Sequence, residues 1–152
     1  MKASSKALEL IKQFEGLRLK AYLCPGGVWT IGYGHTAGVK SGMVISKAQA
    51  EEFLLSDIAV FEKAVNDQNL ALTQNMFDAL VSFTFNVGVG NFKRSTLLCN
   101  FKRSTLLCKI KVNPWDNSIM DEFLRWVYSK GRVLPGLQRR RLAEMKLYFS
   151  KD

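Results

Sequence analysis

Apolar residues recur along the chain with two different periods. Ser4 or Ser5 can cap a first helix. Beyond them Ala7, Leu10 and Phe14 fall on one helical row, and Leu8, Ile11 and Glu15 on its neighbour. An amphipathic helix is therefore predicted over 4–15. Gly16 stands where a glycine just past the last turn would stop it. Over 17–45 the pattern changes. Gly26, Gly27, Gly32, Gly34, Gly38 and Gly42 punctuate short runs such as Val28-Trp29-Thr30-Ile31, the mark of a small antiparallel sheet with tight turns. Ser46 opens a second helix, with Gln49 completing a capping box and Phe53, Leu54, Ile58, Phe61 and Val65 as its buried stripe. From Thr73 onward only helices are predicted, over 73–86, within 92–111, over 115–129 and over 136–149. Asn91, Asn113-Pro114 and the stretch from Gly131 to Gly136 mark the joins. The layout is α+β: a small αβ lobe of about 1–60, then a helical lobe of about 61–152.

One segment breaks the pattern. NFKRSTLLC occupies 91–99 and recurs unchanged at 100–108. Two nine-residue copies are too few and too short for a solenoid. Nine residues turn a helix by about 900°, half a turn out of register. In one continuous helix Leu97 and Leu106 would face opposite sides. One leucine set would then meet water, at about 1.5–3 kcal/mol per side chain. One copy is expected to enter the native helix and the other to loop out or extend an end.

Composition is that of an ordinary globular chain. Its 152 residues, 47% hydrophobic and 23% charged, fit a single domain over 1–152 that folds without disulfide or metal. The net charge of +9 is lopsided. Residues 1–70 carry 8 basic and 7 acidic side chains, whereas 71–152 carry 14 and 6. A basic half favours an anionic partner: nucleic acid, a membrane surface or an acidic wall polymer. No apolar run approaches the ~18 residues of a membrane span, so no stable membrane insertion is expected. Glu9, Lys12 and Glu15 interrupt any signal-peptide core, so folding in a reducing cytoplasm is expected. Cys24, Cys99 and Cys108 have no metal-ligand spacing, and with one histidine no metal site is expected.

Candidate chemistry gathers around the end of the first helix. There the macrodipole is negative, and apolar packing would further disfavour an ionised Glu15. A carboxylic acid kept neutral is what a general acid requires. Cys24 follows on the facing turn and Thr30 on the next strand, so the three can converge on a cleft between the lobes. By residue type alone, Glu15 also fits a surface acid and Cys24 a small buried hydrophobe. The pattern by itself leaves both readings open.

The stretch FEGLRLKAYLC continuing PGGVWTIGYGHT (14–36) resembles the phage-type lysozymes, the endolysins that cleave bacterial peptidoglycan. Their signature is glutamate, eight residues, aspartate, five residues, threonine. The spacing is kept here as Glu15, Cys24 and Thr30, with TIGYGHT intact. SFTFNVGVGNFKRSTLL (82–98), FLRWVY (123–128) and VLPGLQRRRLAE (133–144) extend the resemblance over nearly the whole chain. It implies a lysozyme-like fold with an interlobe cleft and hydrolysis of the β-1,4 bond between N-acetylmuramic acid and N-acetylglucosamine. Glu15 would protonate the leaving oxygen, and inversion at the anomeric carbon is expected. The departure is Cys24, where most relatives carry aspartate. The thiol, ordinarily near ~8.5 and little ionised at neutral pH, would act as a weaker base or as a nucleophile, and repulsion from Glu15 is expected to discourage its ionisation further. Pairing of Cys24 with Cys99 or Cys108 would silence it. Thr30 would position the attacking water or the opposite sugar face.

The resemblance further implies that Phe85 and Ser95 line the saccharide cleft, with Ser104 the duplicate claimant. An arginine among Arg139, Arg140 and Arg141, preferably Arg140, would pair with Glu15, the others being solvated basic surface. His35 reads as a structural hydrogen-bonding residue, and Trp115 and Trp126 as core. Peptidoglycan is the implied partner. No cofactor and no nucleic acid are implied, and a monomer is expected, waiting in the host cytoplasm until the membrane is permeabilised. The alternatives are a weak or inactive variant that binds wall polymer or serves as a scaffold, and, on the KRST and RRR clusters alone, a nucleic-acid-binding module.

Overall fold

In the computed structural model, which describes residues 1–97, 106–129 and 131–151, helix α1 spans Ser5–Glu15. The Ser4 hydroxyl accepts from the Lys6 amide at its start. At its end Gly16, at φ 70°, donates its N–H to the Lys12 carbonyl at 3.1 Å. Glycine alone takes that φ without a Cβ penalty, and it leaves Glu15 as the last helical residue. The chain then enters β1 (Arg18–Leu23), antiparallel to β2 (Trp29–Gly32), with Tyr22 opposite Thr30 and Leu23 opposite Trp29. Beyond β2 the glycine-rich run makes single bridges, Ile31 to His35 and Lys20 to Val44.

The long helix α2 (Lys47–Asn66) begins with the predicted capping box of Ser46 and Gln49. Helix α3 (Gln74–Val87) is buried continuously from Asn75 to Thr84, polar residues included, because other helices cover it on several sides. It forms the axis of the molecule and packs against α1, α2, α4 and α7. Its polar residues are used inside: Asp78 accepts from the Ser4 amide at 2.9 Å and from the Ser4 hydroxyl, tying the start of α1 to the core.

Helix α4 (Val89–Leu97) takes in residues of the first copy of the duplicated segment, and helix α5 (Leu106–Val112) begins with the last residues of the second. Both copies contribute to helices. Phe92 of the first copy is buried, and so are Leu106 and Leu107 of the second, together with Ile110. Residues 98–105, Ser104 and Cys99 among them, lie outside the described residues.

The predicted helix over 115–129 is also corrected. Asn113 Oδ1 accepts from the Trp115 amide and Asp116 Oδ1 from the Ser118 amide, so side-chain turns hold 113–118 out of helix. Helix α6 therefore covers only Ile119–Leu124, followed by a 3-10 turn over Arg125–Val127. A short hairpin of β3 (Tyr128–Ser129) and β4 (Arg132–Val133) comes next, turning at Gly131 with φ 76°. Trp115 is exposed, not core, and Trp126 is half-buried with its ring edge on Phe83. Helix α7 (Pro135–Tyr148) starts with proline in its first turn, where no amide partner is missed, and packs along α3.

Candidate active site

Glu15 leaves the end of α1 and meets α7. Arg140 Nη1 stands 2.5 Å from Glu15 Oε1, although the two are 125 residues apart in sequence. The guanidinium is only 3% exposed and the Glu15 side chain 25%. Arg140 also donates from Nε to Glu144 Oε1 at 3.1 Å and from Nη2 to the Ser82 carbonyl at 3.2 Å, while its cationic head lies over the Phe14 ring. The expected pairing of Arg140 with Glu15 is present, so the acid has a buried guanidinium as partner beside its apolar neighbours. The carboxylate opens on a groove of about 670 Å³ lined by Phe14, Asn86, Pro135, Leu137 and Arg139.

Cys24 is held differently. It begins the hairpin turn between β1 and β2. Its N–H donates to the Val28 carbonyl at 3.0 Å, and its own carbonyl accepts from the Gly27 amide at 2.8 Å. Its thiol is free, whereas Cys108 is disulfide-bonded. Hydrogen bonds from the Val28 and Gly26 backbone, aided by the Thr30 hydroxyl, hold the thiol below its ordinary range. This reverses the expectation that Glu15 would discourage ionisation: the turn's amides act directly on the sulfur. Thr30 is buried, and its hydroxyl donates to the Val28 carbonyl at 3.1 Å, closing the turn from the strand side.

Phe85, at the C-terminal end of α3, lines a second cavity of about 410 Å³ with Gly34, Thr36, Asp57 and Phe61. Its neighbour Asn86 lines the Glu15 groove. The last turn of α3 is thus a wall shared by both cavities. His35 stacks on Phe53 with ring centroids 4.2 Å apart. Its Nδ1 pairs with Asp57 at 2.8 Å and its Nε2 lies 2.9 Å from the Ala37 carbonyl, so both ring nitrogens are engaged in holding the loop. Ser95 falls within α4, and Ser104 lies outside the described residues.

Sequence reasoning missed the residues behind Arg140. Arg141, expected as solvated surface, is wholly buried, and burial pushes its guanidinium down to about 10. Glu144 is equally buried, which raises its carboxyl, while Arg141 and Arg140 pull the other way. The signal was present in α7: two arginines three and four residues before a glutamate share its helical face. Among the described residues no cluster of three or more histidine, cysteine, aspartate or glutamate side chains could hold a metal, and no helix is long and apolar enough to cross a membrane.

The family model for phage lysozyme matches residues 12–144. An endolysin of Acyrthosiphon pisum secondary endosymbiont phage 1 is 46% identical, with 99% of each chain covered. An endolysin of Bacillus phage PZA is 42% identical over 99% of this chain, which spans 56% of that protein's length. Among solved structures, the muramidase domain of SpmX from Asticaccaulis excentricus superposes with a TM-score of 0.86 at 35% identity, covering 99% of both chains. These similarities favour a lytic enzyme over a non-catalytic wall-binding variant. With a match running from within α1 into α7, the two helices that hold the ion pair at the groove, the chain belongs to the phage lysozyme family and is a glycoside hydrolase, a peptidoglycan muramidase.

Proposed function

We propose that this lysozyme opens the β-1,4 bond between N-acetylmuramic acid and N-acetylglucosamine with Glu15 as general acid, as an endolysin acting in host cell lysis. The observation that carries this reading is a carboxylate fixed at the mouth of a groove by an arginine from the opposite end of the chain. Arg140 occupies Oε1, which leaves Oε2 for the substrate. That oxygen delivers its proton to the bridging oxygen as the C1–O bond breaks. The Cys24 thiolate takes a proton from the attacking water, and the water oxygen bonds to C1. Thr30 steadies the thiolate and the water beside it. Phe85 and Ser95 offer cleft surface to the sugars, and His35 and Arg140 support the frame. The basic C-terminal half draws the monomer to acidic wall polymer by long-range attraction, which weakens with salt. The enzyme gathers in the host cytoplasm and reaches the wall once the membrane is permeabilised, with no cofactor, no nucleic acid and no stable membrane insertion.

Release of reducing ends from purified peptidoglycan tests this. Glu15→Gln is expected to lose at least ~100-fold, the range general acid catalysis supplies. Cys24→Asp is expected to match or exceed the parent. A Glu15→Gln protein within tenfold of the parent rate would remove the acid from the mechanism.

A further inference from the structure

Behind the acid lies a cluster of which the chemistry above uses only Arg140. Glu144, Arg140 and Arg141 from α7 and Ser82 from α3 are all buried. Glu144 Oε1 accepts from the Ser82 hydroxyl at 2.9 Å, from Arg140 Nε at 3.1 Å and from Arg141 Nη2 at 3.3 Å. Glu144 Oε2 lies 2.9 Å from Arg141 Nε, an ion pair at an angle too poor for a hydrogen bond. The two arginines leave this carboxylate in different directions. Arg140 reaches Glu15. Arg141 donates from Nη2 to Asn86 Oδ1 at 2.8 Å, with its guanidinium over the Phe83 ring. Asn86 lines the acid's groove and also the adjoining cavity of about 310 Å³ beside Trp126 and Tyr128.

We infer that Glu144 is a positioning residue for the glycosidase reaction: one buried carboxylate that sets Glu15 through Arg140 and the groove-wall amide of Asn86 through Arg141. The inference rests on the reading of Glu15 as the acid. Each arm has a geometric consequence. Arg140, gripped at Nε by Glu144 and at Nη2 by the Ser82 carbonyl, cannot swing, so Nη1 presents to Glu15 in one direction. Arg141 holds the carbonyl end of the Asn86 amide, so the NH₂ end is the one left for the groove. A donor fixed there suits a carbonyl of the substrate, in an N-acetyl group or a peptide bond. With Glu15 protonated, as its role as the acid requires, the path holds two guanidinium groups and a single carboxylate, that of Glu144. Without Glu144 the adjacent guanidinium groups would face each other with only Glu15 to share. Buried ion clusters add little net stability against apolar packing, and their best-attested use is to specify one geometry. Here that geometry belongs to the acid and the groove wall.

Steady-state kinetics on soluble uncrosslinked peptidoglycan chains, well below the melting temperature of every variant, tests this. Arg140→Lys is expected to lower kcat with KM unchanged, and Asn86→Leu to raise KM with kcat unchanged. Glu144→Gln, which keeps the shape and removes the charge, is expected to do both. Its kcat should fall at least ~10-fold and its KM rise severalfold, the scale of a small misplacement of catalytic groups. Ser82→Ala deletes one bond to the same oxygen and folds more readily. A two- to threefold fall in kcat is expected for it, and it decides the matter if Glu144→Gln fails to fold. Glu62→Gln is the control. Glu62 is a comparably buried carboxylate, holding Lys2 Nζ and the Ala3 amide away from the groove, so its loss lowers the melting temperature and leaves kcat and KM in place. Glu144→Gln and Ser82→Ala proteins with parental kcat and KM would overturn the inference and reduce Glu144 to a structural residue. An active Glu15→Gln would instead overturn the reading of the acid itself.

Discussion

Glu15 and Cys24 lie nine positions apart, yet the molecule holds them by opposite means. Glu15 is fixed from behind, by a buried guanidinium on α7 that is itself clamped between α3 and Glu144. Cys24 is fixed from within its own hairpin, by the amides of a five-residue turn open to solvent. The acid's position is therefore a property of the whole helical lobe, and the thiol's position a property of residues 22–30. Damage to the helical lobe should reach the acid and spare the thiol. Damage to the turn should do the reverse.

The sharpest way to break this asymmetry is Arg140→Met. It removes the cation from a site where Arg140 is 3% exposed and leaves the wholly buried Glu144 carboxylate with Arg141 and the Ser82 hydroxyl alone. Removing one partner of a buried ion pair costs about 3–5 kcal/mol when the other is left bare, and the remaining Arg141 keeps the loss toward the lower end of that range. Chemical denaturation should show a loss of that order, and peptidoglycan hydrolysis should fall with it. Alkylation of Cys24 in the folded variant should keep its parental pH dependence. A thiol that changed along with the acid would show that the two are not held independently.

Gly27→Ala attacks the other side. Gly27 sits at φ 77°, and an added Cβ would meet nothing within 4 Å. The cost is the backbone conformation alone, about 1–2 kcal/mol in denaturant melts. If the turn relaxes to escape it, the Val28 and Gly26 amides turn away from the sulfur. The thiol should then titrate closer to its ordinary value, while the Arg140–Glu15 pair stays.

Thr30→Val acts on the thiol more gently. Because the turn lowers the pKa of Cys24, the thiolate fraction rises at lower pH than in a free cysteine. The midpoint of the parent's alkylation rate should therefore lie below that of a free cysteine. Removing the hydroxyl removes the smaller side-chain contribution and keeps the amides, so the midpoint should move part of the way back up. A midpoint that does not move would take Thr30 out of the thiol's surroundings.

The same asymmetry explains what the sequence disclosed. The capping box at Ser46, the stop at Gly16 and the hairpin around Gly26-Gly27 are local, and each was legible because the residues that cause it stand within a few positions of one another. So was the order of glutamate, cysteine and threonine. The partner of Glu15 was legible only through resemblance, since 125 residues separate it from Arg140. The burial of Arg141 and Glu144 is not legible in the sequence, because charged side chains on a helix read as solvated until the packing of α7 on α3 is known. Trp115 fails in the opposite direction: at a helical spacing within the predicted helix over 115–129 it reads as core, but Asn113 and Asp116 hold that stretch in turns and leave the ring exposed. The hairpin of β3 and β4 was missed because its strands are two residues each, too short to show a period.

The smallest effect is the most selective. Gly26, unlike Gly27, has no positive φ, so alanine fits its backbone. Its added Cβ would lie 3.6 Å from Cys24 Sγ, an ordinary van der Waals contact that asks nothing to move. Folding stability should change by less than about 0.5 kcal/mol, as for a surface substitution without strain or burial. The methyl group nevertheless covers one side of the sulfur. Alkylation by a bulky reagent should slow severalfold at every pH, with the midpoint in place because the Gly26 backbone that helps to hold the thiolate is retained. Hydrolysis should respond according to what Cys24 does. A thiolate that only deprotonates water tolerates a neighbouring methyl, and the rate should stay within about twofold. A thiolate that must reach C1 as a nucleophile does not, and the rate should fall together with alkylation. Gly26→Ala thus separates base from nucleophile at the thiol end of the site while leaving the acid end, anchored on α7, as it was.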